Sequence, residues 1–224
     1  MPRAILPVFS AVLFCLQAAA QESSDPVAQP LSQGDLYASR RKYELALDSY
    51  HKADKLSHHT SAVAFLKIAS IEKKAGDFSD ALDDAKKAVK AAGDNKAMNI
   101  QVLQFRASLL AQMAGKPTDK KLKEAEGELR QALTVDPANP VTHLHLGMIL
   151  LRQERDAEGI AELNIYMTSP GANPTTVAEA KLVIASPELL SRENVLVVVG
   201  AYAHEFDRRT PAIGRISSNH GNFG

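Results

Sequence analysis

The sequence predicts an all-α protein built as a solenoid of helical hairpins, with about four repeats and a C-terminal capping helix. Alanine and leucine are plentiful, aromatic residues make up only 5% of the 224 residues, and tryptophan is absent. This composition is typical of packed helices rather than of sandwiches or barrels. A pattern of small and apolar residues also recurs at a spacing of about 34 residues, as expected for repeated helix pairs.

The second helix of each predicted repeat carries the same stripe of small and apolar residues. Positions i, i+4 and i+7 of an α-helix lie on one face, so each stripe is expected to be buried. The four stripes are Ala46, Tyr50 and Ala53; Ala81, Ala85 and Ala88; Ala125, Leu129 and Ala132; and Gly159, Leu163 and Tyr166.

A partner helix is predicted upstream of each of these stripes, with a small residue where the two helices approach each other. Glycine or proline is expected at the turns, because neither residue continues a helix well. The residues that mark these helices and turns are Gly34 and Tyr37; Phe65, Ile68, Ala69 and the segment Gly76-Asp77-Phe78; Leu146, Gly147 and Leu150; and Pro137 after the third stripe.

Together these motifs resemble the tetratricopeptide repeat, and the resemblance covers about residues 27–168. It implies a non-catalytic scaffold that binds a peptide or protein partner on its concave surface and needs no cofactor. Two departures stand out. The first repeat has His58 where the family has proline, and the third has a longer turn, "AGKPTDKK", which we interpret as a surface loop insertion.

The order of segments predicts an exported protein. Residues 1–20 resemble a signal peptide, with Arg3, an apolar run at 5–16 and the small residues 18–20; an uncleaved membrane anchor is the alternative. Residues 21–33 are predicted as a polar linker and the start of an imperfect first repeat, 34–168 as the solenoid, and 169–194 as a loop and capping helix. Residues 195–224 are predicted as an atypical tail that is strand-like or disordered. We therefore expect a periplasmic or secreted location.

Charge and cysteine content exclude several classes of function. Basic and acidic residues number 26 each, so neither a nucleic-acid binder nor a polybasic membrane-docking protein is expected. After removal of the signal peptide, no integral membrane segment is predicted. The only cysteine, Cys15, lies in that signal peptide, so disulfides, cysteine-zinc sites and a thiol nucleophile are not expected in the mature chain.

The stretch "AGDFSDALDDAKKAV" concentrates four aspartates, Asp77, Asp80, Asp83 and Asp84, which could form a metal site. Their spacing does not fit a calcium loop. We instead expect the solvent-facing side of a helix, with Asp77 as N-cap and an Asp83–Lys87 pair. The histidines are expected on the polar surface, and no metal ligand or catalytic residue is assigned, because no known catalytic motif appears.

The concave surface is the predicted binding site, lined by one face of the first helix of each repeat. A mixed apolar and cationic groove would suit an extended or helical peptide. Leu66 and Ser70 occupy the positions where a carboxylate clamp of this family would place Lys and Asn, which argues against such a clamp. The predicted partner-binding residues are Val63, Leu66, Ser70, Lys73, Lys74, Gln101, Gln104, Ser108, Val141, Leu144, Met148, Leu151 and Arg152.

Two alternatives remain open. The apolar residues of this set could pack beneath the capping helix instead of lining a groove. The segment "KLVIASPELLSREN" also resembles the hinge of secreted bacterial proteins in which such repeats lead into a thioredoxin-like domain. The chain could then be the binding module of a truncated or frame-shifted redox protein, or its tail could be native. A wall-associated structural scaffold is a third possibility.

Overall fold

The computed structural model describes residues 25–185, which form helices joined by short loops. The helices are α1 (Ala28–Ser39), α2 (Tyr43–Leu56), α3 (Ala62–Ala75), α4 (Phe78–Ala92), α5 (Lys96–Met113), α6 (Lys120–Val135), α7 (Pro140–Arg152), α8 (Asp156–Thr168) and α9 (Pro174–Ala185). No strand occurs within this range. The predicted signal peptide at 1–20, linker residues 21–24, the end of the predicted capping region at 186–194 and the tail at 195–224 lie outside the described residues.

The helices pack as four successive pairs, α1 with α2, α3 with α4, α5 with α6, and α7 with α8, and α9 packs against α8. The first helices of neighbouring pairs also touch directly, because α5 contacts both α3 and α7. These three first helices form one layer, called here the inner layer. The predicted all-α solenoid of helical hairpins is therefore confirmed, and no helix between residues 25 and 185 has the length and apolar character needed to cross a membrane.

All four predicted stripes are buried, from Ala46 in the first pair to Tyr166 in the fourth. Each stripe packs into a core that no single hairpin completes. One apolar cluster joins α3, α4 and α5, the next joins α5, α6 and α7, and the last joins α7, α8 and α9. Fully burying a leucine such as Leu129 or Leu163 contributes roughly 1.5–3 kcal/mol, so these shared clusters hold neighbouring pairs together.

Helix ends follow from local side chains. Ser61, Asn95, Asp119 and Asn139 each cap a helix by accepting a hydrogen bond from a backbone N–H two or three residues later. Asp119 shortens the inserted turn, since α6 begins at Lys120 inside the segment predicted as loop. Gly76 ends α3 with φ of 90°, a left-handed conformation that glycine adopts without strain.

Asp77 does not cap α4 in the expected way. It occupies the N-cap position, but its side chain accepts no hydrogen bond from the first turn. Its ψ of 62° lies below the extended values of 95° at Asn95 and 133° at Asp119, which are typical of N-cap residues. The expected Asp83–Lys87 pair is also wrong, because Asp83 pairs with Lys86 at 2.9 Å.

Asp84 is buried, which corrects the expectation that all four aspartates face solvent. It forms an ion pair with Lys87 and lies beside Glu72 of α3. Burial raises the pKa of Glu72 to about 8, and the nearby charges of Asp84 and Asp80 contribute to this shift. The negative charges of Asp84 and Asp80 repel a negative charge on Glu72. They therefore favour the protonated form of Glu72 and raise its pKa.

Two glycines let α7 and α8 approach closely. A Cβ atom added to Gly147 would lie 2.9 Å from the backbone oxygen of Gly159 and 2.9 Å from the Cγ of Leu163. Backbone atoms cannot move aside as a flexible side chain can, so this crossing requires a residue without a side chain. The small residue that the repeat pattern predicts at position 147 thus has a steric cause.

The first prediction tests this crossing. Gly147→Ala should lower the free energy of unfolding by about 1–3 kcal/mol, because the added methyl group overpacks the interface between α7 and α8. Gly127→Ala is the matched control, since Gly127 lies on the exposed face of α6 with open space around it. The control should stabilise the protein by about 0.5–1 kcal/mol. Urea denaturation measures both values, and equal effects would contradict the steric explanation.

The second prediction concerns Glu72. A carboxyl whose pKa is raised in the folded state stabilises the fold below its ordinary pKa of 4.5, and this contribution is lost as pH rises through about 8. Glu72→Gln removes the titrating group, so the decline of the melting temperature between about pH 5 and pH 9 should become smaller than in the wild type.

Asp83→Asn is the control for this experiment. Its hydrogen bond and charge interaction with Lys86 lower the pKa of Asp83 below 3.8, so it does not titrate in the range where Glu72 does. Thermal unfolding followed by circular dichroism should therefore show the wild-type pH dependence in this variant. A Glu72→Gln protein with an unchanged decline would contradict the assignment of the titration to Glu72.

Candidate binding groove

The inner layer carries polar side chains that bridge neighbouring helices. Lys73 Nζ of α3 donates a hydrogen bond to Ser108 Oγ of α5 at 2.9 Å. Gln104 Nε2, also on α5, donates to Thr142 Oγ1 of α7 at 2.8 Å and to Asn139 Oδ1 at 3.1 Å. Contacts between the repeats on this face are therefore made by polar groups as well as by apolar packing.

Lys73 is the central cation of this face. Its Nζ atom lies 5.4 Å from the ring centroid of Phe105, a cation–π contact. Burial alone lowers the pKa of Lys73 to about 8, and no carboxylate of the described residues opposes this shift. A half-buried ammonium with a hydroxyl as its hydrogen-bond partner lacks the opposite charge that usually accompanies a desolvated cation.

His145 lies on α7, the next helix of the inner layer after α5. Its Nδ1 atom is buried and has no hydrogen-bond partner among the described residues. Burial lowers the pKa of His145 to about 4, and the positive charge of Lys73 contributes to the shift. The imidazole is therefore neutral at neutral pH. We call the group formed by Lys73, Ser108 and Phe105 the lysine pocket.

The histidines of α7 differ from the expectation that they lie on the polar surface. His143 is buried, with Nδ1 2.6 Å from Glu162 Oε2 of α8 and Nε2 2.9 Å from the carbonyl oxygen of Pro137. These two contacts join the ring to α8 and to the turn that precedes α7. His143 and His145 point to different sides of the helix, as their spacing predicts. The expectation of surface histidines was wrong here because α7 is covered by α5, α8 and α9.

The other predicted cations do not join the lysine pocket. Lys74 turns away from it toward α2, where its Nζ lies 5.6 Å from the Tyr43 ring centroid. Arg152 is buried, and its guanidinium donates to the carbonyl oxygens of Ala111 and Ala114, at 2.5 Å and 3.1 Å. Arg152 thus satisfies carbonyl groups at the end of α5, and the cationic cluster expected from Lys73, Lys74 and Arg152 is not present.

The apolar part of the predicted set is buried in the chain's own core. Leu66 packs with α4 and α5. Leu144, Met148 and Leu151 of α7 share a cluster with Ala180 and Val183 of α9, which is the alternative in which the apolar residues lie beneath the capping helix. The predicted residues that keep surface for a ligand are Val63, Ser70, Lys73, Lys74, Gln101, Gln104, Ser108 and Val141. Binding by any of them stays a prediction.

Two residues of this face, Phe105 and His145, were not among the predicted groove residues. A signal for them was available in the repeat register, since each lies four residues after a predicted groove residue, Gln101 or Val141. Such residues share the groove-facing side of the helix. No group of three or more His, Cys, Asp or Glu side chains among residues 25–185 is arranged to hold a metal ion.

The third prediction tests whether the positive charge of Lys73, which lacks a counter-charge among the described residues, destabilises the folded state. A lysine whose pKa is depressed in the folded state destabilises the fold at neutral pH, and this cost is relieved between about 8 and 10.5. Lys73→Met keeps the alkyl packing on Phe105 and removes the charge. Allowing for solvent screening of a half-buried group, it should raise the free energy of unfolding by about 1–2 kcal/mol at neutral pH.

The gain should shrink as the pH is raised to about 10.5, where wild-type Lys73 is largely neutral in the folded state and half neutral in the unfolded state. Lys90→Met, on the exposed face of α4, is the matched control and should change stability by less than about 0.5 kcal/mol. Urea denaturation at neutral and alkaline pH gives both comparisons. A Lys73→Met protein less stable than the wild type at neutral pH would contradict the prediction.

No protein-family model and no curated protein matches the sequence. Solved structures do match it. YrrB, described as a TPR protein with an unusual peptide-binding site, is 18% identical with a TM-score of 0.52, over 85% of this chain and 91% of its own. TTC0263, a thermophilic TPR protein of Thermus thermophilus, is 21% identical with a TM-score of 0.55, over 81% of this chain and 91% of its own.

The MamA protein also has a similar structure. It is 13% identical with a TM-score of 0.57, over 85% of this chain and 99% of its own. At these identities the likeness concerns the fold, which agrees with the repeated stripes and the apolar clusters shared between helix pairs. The chain is a helical solenoid with the fold of tetratricopeptide-repeat proteins.

Proposed function

We propose that the protein is a non-catalytic, exported interaction scaffold whose inner layer binds a peptide segment of a partner protein. The observation that carries this proposal is the lysine pocket, where the half-buried ammonium of Lys73 contacts a hydroxyl and an aromatic ring and forms no ion pair with the described residues. Polar groups left in this state are common at sites that meet a ligand. A surface of half-buried polar and aromatic groups suits a peptide, which presents both backbone and side chains.

The fold and one of its neighbours support a protein or peptide partner. Interaction surfaces of repeat proteins lie along the layer formed by equivalent helices of successive repeats. YrrB is described as having an unusual peptide-binding site, although fold alone does not decide function. For this chain, the direct support is that Lys73, Gln104 and Ser108, predicted as groove residues, lie on one continuous face of α3 and α5.

Export is proposed from the N-terminal sequence alone. Arg3, the apolar run at 5–16 and the small residues at 18–20 follow the pattern of a cleavable signal. The alternative of a truncated redox protein stays a prediction, because its hinge-like segment continues past residue 185. We give the scaffold precedence, since the lysine pocket needs no further domain to act as a binding site.

The fourth prediction tests the inner layer directly. The full mature chain, immobilised, should enrich peptides from a phage-displayed random library, and the enriched peptides should bind in solution by fluorescence anisotropy. Gln101→Arg places a bulky charged group on the exposed part of α5 that faces the groove. It should weaken binding by about tenfold or more, the effect of losing about 1.4 kcal/mol.

Lys90→Glu on the exposed face of α4 is the control and should leave affinity within about twofold, because this face lies outside the inner layer. Circular dichroism and urea denaturation establish that both variants remain folded. Failure to enrich any peptide would overturn the proposal. So would loss of binding in the α4 variant together with full binding in the α5 variant, since the site would then lie on the opposite face.

A further inference from the structure

The last described helix, α9, begins as the first helix of a further repeat would begin. It starts at Pro174, which is 34 residues after the start of α7 at Pro140. An asparagine precedes each proline, and its side chain accepts a hydrogen bond from the backbone N–H three residues later. The same spacing of 34 residues separates the starts of α1, α3 and α5. Positions on α9 can therefore be matched with positions on the earlier first helices by counting from the helix start.

One side of each earlier first helix faces the first helix of the next repeat. On α3 this side holds Lys73, which donates a hydrogen bond to α5. On α5 it holds Gln104, which donates to α7. On α7 it holds three apolar residues that share a cluster with α9, namely Leu144, Met148 and Leu151. All of these residues stand at the fifth, ninth or twelfth position of their helix, so these positions mark the side that meets the next helix.

The matching positions of α9 carry apolar residues that face solvent. They are Ala178, Leu182 and Ala185, and all three are exposed. Leu182 is 72% exposed, the highest value for a large apolar side chain among residues 25–185. We call these three residues the end face. The terminal repeat of a solenoid usually presents a polar outer surface, so an apolar end face indicates that a further segment packs there.

The end face is not the side on which α9 would pair with a second helix of its own repeat. In the α7–α8 pair that side holds Gly147, and a Cβ atom added there would lie 2.9 Å from a backbone oxygen of α8. The matching residue of α9 is Lys181, which is exposed. Its side chain excludes a helix that crosses α9 as closely as α8 crosses α7. The end face is then the apolar surface of α9 that remains for a further segment to cover.

We propose that the apolar run at residues 195–199 of the same chain packs on the end face. The run reads "VLVVV", and it begins ten residues after Ala185, the last residue of α9. Ten residues span up to about 33 Å, and a helix of this length extends about 18 Å, so the run can reach every residue of the end face. Contact between the two removes apolar surface of both from water, which is favourable in proportion to the area buried.

The size of the end face favours a segment of the same chain over a second copy. One side of a helix about 18 Å long and about 10 Å wide offers less than about 200 Å². A stable interface between two proteins buries about 800 Å² on each partner. A tethered segment has an effective concentration in the millimolar range, so a small contact is sufficient to hold it. The run also gains from being covered, because an exposed β-branched apolar run promotes aggregation.

The fifth prediction uses the absence of cysteine from residues 21–224, which makes any introduced thiol unique in the mature chain. Leu182→Cys places a thiol on the end face of the full mature chain, and its rate of alkylation by iodoacetamide is measured. The same measurement is repeated after adding Val197→Asp and Val199→Asp, which make the run polar. The thiol should then react about tenfold faster, the effect of uncovering a face that is covered about 90% of the time.

Ile165→Cys is the matched control, since Ile165 is 44% exposed and lies on α8, outside the end face. Its alkylation rate should be the same with and without the two Asp substitutions. Circular dichroism establishes that every variant keeps its helices. If Leu182→Cys loses them, Ala178→Cys provides a second probe of the same face.

Disulfide formation tests the contact directly. Leu182→Cys combined with Val197→Cys should form an intramolecular disulfide under mild oxidation. Ile165→Cys combined with Val197→Cys should form one severalfold more slowly, because only the first pair is held together. Gel electrophoresis without reducing agent separates the intramolecular product from covalent dimers.

Three outcomes would overturn the proposal. The first is an alkylation rate of Leu182→Cys that the Asp substitutions leave unchanged. The second is an equal rate of disulfide formation in the two cysteine pairs, since a run that meets both positions by chance covers neither. The third is a covalent dimer of the Leu182→Cys protein with protection that rises with protein concentration, which would place a second copy on the end face. Peptide binding by the inner layer is measured separately, because α9 lies outside that layer.

Discussion

The structure depends on one packing constraint, which is that no helix pair buries its own apolar stripe. Leu146 of α7 completes the cluster formed by α5 and α6, and Leu109 of α5 completes the cluster of α3 and α4. A pair removed from its neighbours would expose this surface to water at a cost of about 25 cal/mol per Å². The position of every first helix, and so the inner layer itself, follows from this sharing.

The same constraint places the polar groups that matter for binding. Because α5 is held between α3 and α7, its residues Gln104 and Ser108 reach side chains of both neighbours. Lys73 is drawn into a partly apolar setting by the packing of α3 and α5, and its ammonium is desolvated as a consequence. A desolvated cation of this kind lowers the stability of the isolated protein, and it can strengthen a complex by binding an acceptor of the partner.

Much of the fold could be predicted because the stripe positions repeat with helical spacing, and burial of Ala81, Leu129 and Tyr166 follows from that spacing alone. The binding face was harder to predict. Helical register places Lys74 and Arg152 near the groove, yet side-chain direction depends on neighbours distant in sequence, such as Tyr43 and the carbonyl of Ala111. Burial of Asp84 depends in the same way on the crossing of α3 and α4, which no local pattern encodes.

Arg152 has a further consequence for how the inserted turn can vary. Its guanidinium binds the backbone carbonyl oxygens of Ala111 and Ala114, not their side chains. A hydrogen bond to a backbone carbonyl oxygen does not depend on which side chain that residue carries. The turn that follows Ala114 can therefore vary in sequence and in length without removing the two acceptors that anchor α7 to the end of α5.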